Sequence, residues 1–389
     1  MTFKFFLVPS NHPPAAYHHE MVAIAEGLRD LGISYYGTLN YWKESETNNY
    51  LIEQAPANFD AEVHIYSVYY FNYYKLDIEK TVDYTKINII IDREDGYYSL
   101  FSDKRYSKFD AILKTHYNKN IPYHYYQKNV IPWAFGLSNR IIKSIDESIN
   151  TKVEDKTYIN FRITHHLREM AYEKFNPIIS QKYPIDFSSS LSAITGKPFK
   201  AEAIKEEQPP YFSEAEKLYQ LQTGFRHDTN YYRKLNSSLL TYTFGGYVAT
   251  KPFLTNRLLH PIHYLYKSIR WGYEQLNLDV SNLVFIYQYD SWRWWEALYA
   301  NTCPIHMDFE DWGWVLPVMP ENKIHYWGVK KLDFEKSANE LRQLHRDDIL
   351  QIGLNGRNWS KQHYNPLATA NRLIDLVNKI KIKHDLNLL

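Results

Sequence analysis

Two spacings of apolar residues alternate along the chain. Residues 3–8 (FKFFLV) form a short apolar run that predicts a buried strand. Residues 18–31 then place Met21, Ile24, Ala25, Leu28 and Leu31 three and four apart, the rhythm of one helix face. Gly32 ends that helix, and 33–37 opens the next strand. Further runs at 62–70, 87–92, 110–114 and 129–133 predict an open α/β sheet to about residue 140. The polar stretch 141–156 is expected to be a linker.

The pattern restarts at 157–163 with a strand, followed by a helix over 165–175. Prolines and serines with weak periodicity over 180–215 predict loops and short pieces. A helical turn at 231–235 leads to a strand at 238–244 that Gly245 and Gly246 close. Residues 250–280 are apolar and aromatic without alternation, which predicts one or two helices. The central unit is 283–308: a strand at 283–287, a helix from Trp292 to about Ala300 capped by Ser291, a turn at Asn301-Thr302 and a strand at 303–307. This reads as strand, helix, strand of a parallel sheet, and Gln288 to Arg293 falls at the edge where such sheets hold ligands. A strand near 323–326 and two helices close the chain. Leu367, Ala370, Leu373, Ile374, Val377 and Ile380 form the apolar stripe of the last helix.

These 389 residues exceed one ordinary core, so two domains are expected. The expected divisions are 1–150, 151–366 and 367–389, the last a helix free to pack back on the first domain. Lys+Arg 45 against Asp+Glu 44 leaves a net charge of +1, which argues against a nucleic-acid partner held by a basic surface. The basic last helix (Lys379, Lys381, Lys383) allows peripheral membrane contact at most, a solvated face being the simpler reading. One cysteine, Cys303, excludes an internal disulfide and a cysteine-based metal cluster. No apolar stretch of about 18 residues and no cleavage-like leader occur, so a cytoplasmic protein is expected. Aromatic residues reach 16%, and rings serve both as core and as sugar platforms.

The segment Asp290-Ser291-Trp292-Arg293-Trp294-Trp295-Glu296-Ala297-Leu298, followed by Asn301-Thr302-Cys303-Pro304-Ile305, resembles the S-x-R-x-x-E-A-L…G-x-x-P-I pattern of exostosin-like and CgeB-like glycosyltransferases. Gly356-Arg357-Asn358-Trp359 with His363-Tyr364 is similar to the end of that domain. The motifs cover about the last 120 residues; the first half matches in plan only. The resemblance implies a GT-B architecture, two Rossmann-like domains facing a cleft. It also implies transfer of a sugar from a nucleotide-diphosphate donor to a hydroxyl of a glycan or small-molecule acceptor. No resident cofactor is expected. Asn301 departs from the family's small residue. Gln288 stands where a paired-glutamate form has its first Glu, so retention of configuration is not implied.

By that resemblance Glu296 grips the donor ribose hydroxyls; the plain alternative is an ion pair with Arg293 one turn away. Arg293 is otherwise a diphosphate clamp, Ser291 serves as helix cap, as phosphate contact or as both, and Asp290 is counted with them as donor-binding. Arg162 and Arg168 stand where this fold supplies cations to the departing diphosphate, with surface charges as the alternative. Gly245 and Gly246 either let backbone approach the donor or make a plain turn. The general base is sought among His18, His19, Asp92, Asp95 and His116, with Asp95 first. Local pairing with Arg93 explains the aspartates otherwise, and a solvated helix start the histidines. No D-x-D motif stands near a strand end, so metal-dependent chemistry has no anchor; Asp308 and Asp311 read as a hydrogen-bonded turn. Trp312, Trp314 and Trp327 serve as sugar platforms or as core. A catalytically silent GT-B module is the alternative function. A glycoside hydrolase would need paired carboxylates across a cleft in a different plan.

Overall fold

The computed structural model describes residues 1–9, 18–44, 49–94, 104–120, 129–148, 152–161, 163, 166–187, 222, 229–245, 248–250, 284–286 and 288–386. Two parallel sheets organise them. In the first, β1 (Phe3–Phe6), β2 (Tyr35–Gly37), β5 (Val63–Ser67), β6 (Ile87–Asp92), β7 (Ala111–Lys114) and β8 (Val130–Pro132) lie in the order β2-β1-β5-β6-β7-β8. A small antiparallel pair, β3 (Tyr41–Lys43) and β4 (Tyr50–Ile52), lies outside it. Helix α1 (His19–Asp30) follows β1 and presses Met21, Ile24, Ala25 and Leu28 into the core with Phe3, Phe5, Val63 and Ile89.

The second sheet has the order β10-β9-β11-β14-β15, again all parallel. Its strands are β9 (Glu154–Ile159), β10 (Ile185–Phe187), β11 (Ser238–Tyr242), β14 (Cys303–Met307) and β15 (Trp327–Val329). Both sheets therefore reverse winding beside their first strand, between β1 and β5 and between β9 and β11. Ligands settle beyond the carboxyl ends of strands at such reversals.

Several expectations change. Residues 139–146 are not linker: helix α2 (Asn139–Asp146) buries Arg140, Ile141 and Ile145, and β9 already runs from Glu154. The charges of 141–156 hid a one-sided apolar face. The strand expected at 283–287 is β13 (Val284–Ile286), but it pairs antiparallel with β12 (Val248–Thr250), apart from the parallel sheet. Its apolar composition marks a strand without saying which partner it takes, because pairing is non-local. The strand near 323–326 lies at 327–329, and the helix after β9 runs as His166–Met170, a π turn at Ala171–Phe175, then Asn176–Ile179. The 250–280 helices fall outside the described residues.

Helix α3 (Thr229–Asn236) precedes β11, and α4 (Trp292–Tyr299) precedes β14. Helices α5 (Phe334–Gln343), α6 (Arg346–Tyr364) and α7 (Pro366–Asp385) close the described chain. Helix α7 crosses back to the first sheet, where Ala370, Leu373, Val377 and Ile380 join the core of α1. Gly27 of α1 makes that contact: a Cβ there would stand 2.1 Å from the Pro366 carbonyl oxygen. Among the described residues no helix is long and apolar enough to cross a membrane.

Candidate functional site

The carboxyl edges of the two sheets meet. His116, after β7, accepts on Nδ1 from the backbone N–H groups of Tyr289 (3.4 Å) and Asp290 (3.3 Å). Phe135, after β8, donates its N–H to Asp290 Oδ2 at 2.8 Å, and the Trp295 indole N–H donates to Asp290 Oδ1 at 2.5 Å. Burial holds the Asp290 carboxyl well above the usual carboxylate range, and both of its oxygens are taken up in pinning the loop. Trp292 packs against both cores, its ring 6.2 Å from His19. Ser291 caps α4 by accepting from Trp294 N–H at 3.4 Å.

At the second reversal the side chains are cationic and aromatic. Phe161, just past β9, has the Arg168 guanidinium 4.9 Å from its ring centroid and that of Arg293 at 5.6 Å. Arg168 Nε also donates to the Phe244 carbonyl, just past β11, at 3.1 Å, which fixes its fork at the carboxyl end of the sheet. Arg293 is half-buried, its Nε lacks a hydrogen bond, and burial lowers its pKa from the ordinary arginine value. Two guanidiniums on one ring place two planar hydrogen-bonding forks at this winding reversal. Arg162 and Gly246 lie outside the described residues. Gly245 has a different reason to be glycine: a Cβ would stand 1.8 Å from the Gln288 carbonyl oxygen, so the strand end packs on the 288–290 backbone.

Glu296 is not an open carboxylate. It is 0% exposed, and its oxygens accept from the hydroxyls of Tyr231 (2.8 Å) and Tyr232 (3.0 Å) on α3. Arg140 of α2 reaches it at 3.6 Å and donates to the Tyr232 hydroxyl at 2.5 Å. The carboxylate ties α2, α3 and α4 together, and an α4 helix alone does not reveal that partner set. Its ion pair among the described residues is with Arg140 and not with Arg293, and a ribose at this carboxylate would have to displace both tyrosines.

At the first reversal, His18 joins the ends of β1 and β5. Its Nε2 accepts from Val8 N–H at 3.4 Å, Nδ1 lies 3.4 Å from Ser67 Oγ, and its own N–H donates to Tyr41 Oη at 2.8 Å. Burial first, and the Arg93 charge second, hold its pKa well below normal. His19 faces the Gly136 carbonyl at 3.0 Å, and burial drives it to about 3. Both histidines are neutral and buried, not solvated as a helix start would be. Asp92 pairs with buried Lys114 at 3.1 Å, and Asp95 lies outside the described residues. Sequence reasoning missed Glu20, the next residue of the His18-His19-Glu20 run, which is buried beside them at the same edge. Its signal was a third consecutive polar residue directly ahead of the apolar run 21–25 of the helix.

Asp308 caps the short helix Phe309–Trp312 and accepts from Glu310 and Asp311 N–H at 2.9 and 3.1 Å. Trp312, Trp314 and Trp327 are buried; Trp314 stacks on Tyr289 at 4.6 Å. They are core. Burial raises the Cys303 thiol, which leaves it inert. Among the described residues no group of three or more His, Cys, Asp or Glu could hold a metal ion.

No protein-family model matches the chain, and no curated protein matches it at a significant level. Solved structures do. An alpha-glucosyltransferase in complex with UDP and a mismatched 13-mer DNA is 11% identical, with a TM-score of 0.53 over 97% of this chain and 100% of that one. AviGT4, a glycosyltransferase involved in avilamycin A biosynthesis, is 9% identical, with a TM-score of 0.50 over 98% of each chain. At such identities the likeness is one of architecture, and it gives this chain the GT-B fold.

Proposed function

We propose that the chain is a glycosyltransferase that moves a sugar from a nucleotide-diphosphate donor to a hydroxyl of a glycan or small-molecule acceptor, without a metal. The observation that carries this reading is the pair Arg168 and Arg293 around Phe161, at the winding reversal of the second sheet. There the two guanidiniums grip the diphosphate and stabilise the charge that grows on it as the bond to the sugar breaks. The phosphate-holding end of the donor thus rests on β9 and β11, and the acceptor approaches from the first sheet, whose carboxyl edge faces it.

The UDP bound by the alpha-glucosyltransferase of the same fold makes uridine diphosphate sugars the first donors to try. A net charge of +1 argues against a DNA acceptor held through its phosphates. The alternative is a module that binds nucleotide without transferring sugar, favoured by the sealed Glu296 carboxylate. Calorimetry with a panel of nucleotide sugars, followed by transfer assays with radiolabelled donor, separates the two. A wild-type protein that binds no nucleotide sugar sinks both readings; binding without turnover leaves the silent module.

A further inference from the structure

Buried carboxylates are almost always given hydrogen-bond donors. This chain obeys the rule at Asp290, with two donors, at Glu296, with two tyrosines, and at Glu26, which accepts from Asn139 N–H at 2.8 Å. Glu20 breaks it. It is 1% exposed, and among the described residues neither of its oxygens has a hydrogen-bond partner. Among the described residues its close counter-charge is Arg93, just past β6, at 3.7 Å, an ion-pair distance too long for a hydrogen bond.

The place of this orphan matters as much as its burial. Glu20 stands on the first turn of α1, at the carboxyl edge of the first sheet, beside His18 at the reversal and His19 against Trp292 of the facing half. Its charge is one of those that hold Asp290, across the junction, above the normal range. Burial likewise raises Glu20 itself, against the opposing pull of Arg93. The neighbouring histidines are less suited to take a proton. His18 has both ring nitrogens engaged, and His19 is held at about 3.

We propose that Glu20 is the acceptor-binding catalytic residue: its carboxylate accepts a hydrogen bond from the acceptor's hydroxyl and then takes that proton. Two acceptor-only oxygens without donors suit a sugar or polyol carrying neighbouring hydroxyls. In the transfer, the hydroxyl oxygen forms a bond to the anomeric carbon as its proton passes to Glu20. The bond from that carbon to the diphosphate oxygen breaks, and its electron pair leaves with the nucleoside diphosphate. The Arg93 guanidinium at 3.7 Å opposes the effect of burial and favours the ionised carboxylate. This assignment rests on the glycosyltransferase reading above.

The test compares the full-length wild type with Glu20→Gln. Donor binding is measured by calorimetry with nucleotide sugars, and transfer with labelled donor and a panel of mono- and disaccharides. Glu20→Gln is expected to bind the donor with wild-type affinity and to transfer about 100- to 10,000-fold more slowly, the usual contribution of a general base. Transfer by Glu20→Gln within a few-fold of wild type overturns the assignment and leaves the glycosyltransferase reading intact. A wild type that binds no nucleotide sugar overturns both. Should the amide unfold the protein, Glu20→Asp keeps the charge and draws it back by one methylene. Slowed transfer at unchanged donor affinity then supports the assignment, and full-rate transfer refutes it.

Discussion

Replacing Glu296 by alanine distinguishes a ribose ligand from a structural tie. In the structure the substitution removes the acceptor of two buried tyrosine hydroxyls, at 2.8 and 3.0 Å, and the carboxylate 3.6 Å from buried Arg140. Truncating one member of a buried ion pair costs about 3–5 kcal/mol, because the remaining charge stays where water cannot reach it. For a chain of 389 residues that is a fall in melting temperature of roughly 4–6 °C. Glu296→Gln keeps the shape and one acceptor oxygen, so it should lose about 1.5–3 kcal/mol, the worth of hydrogen bonding to a charged group. Circular dichroism melts of the three proteins, paired with calorimetric titration of a nucleotide sugar well below the melts, give both quantities. The structural account expects stability to fall in the order wild type, Gln, Ala, with nucleotide affinity changing little in the folded fraction. It is refuted if the alanine variant melts with wild type and has lost the nucleotide.

Arg168→Ala and Arg293→Ala should each weaken nucleotide-sugar binding by roughly 10- to 100-fold, about 1.5–3 kcal/mol per charged hydrogen-bonding group; wild-type affinity in both would remove the guanidiniums from the donor site. Burial raises Glu26 from 4.5 to about 8, so the folded state holds a proton that the unfolded state has released. Its contribution to stability is therefore complete below about pH 4.5 and is lost as pH rises to 8, a swing on the order of 5 kcal/mol. Melts of Glu26→Gln from pH 4.5 to 9 should be flatter than those of wild type, and parallel curves would contradict the shift. Gly27→Ala gains about 1 kcal/mol of helix propensity but drives a methyl against the Pro366 backbone, 2.1 Å from its oxygen and 2.6 Å from its carbon. Overpacking at about 1–3 kcal/mol wins, and limited proteolysis should release α7 sooner; an unchanged cleavage rate would count against the tight contact.

The parallel strands were readable because residues such as Ile89, Ile90 and Ile91 are buried on both sheet faces, which leaves an unbroken apolar run. The Ser291 cap was equally legible, being a local matter of one hydroxyl and the N–H groups of its own helix. What the chain does not display in one dimension is which distant groups arrive around a polar side chain. Glu296 reads as a helix carboxylate, and only the folding of α2 and α3 beside it supplies Arg140, Tyr231 and Tyr232. Glu20 was hidden by the same logic reversed: nothing in HHE says that one of the three will be left without a donor. Gly245 read equally as ligand clearance or as a plain turn, and its backbone packs on Gln288, 43 positions later.

Helix α7 lends four apolar side chains to a core whose other members come from the first 133 residues. On the ribosome, that core waits for a wall made more than two hundred residues later, so the first sheet emerges with one flank unsealed. A fragment cut near residue 150 should inherit the same open flank and be sticky in isolation. Supplying 366–385 as a separate peptide is the direct way to see it close.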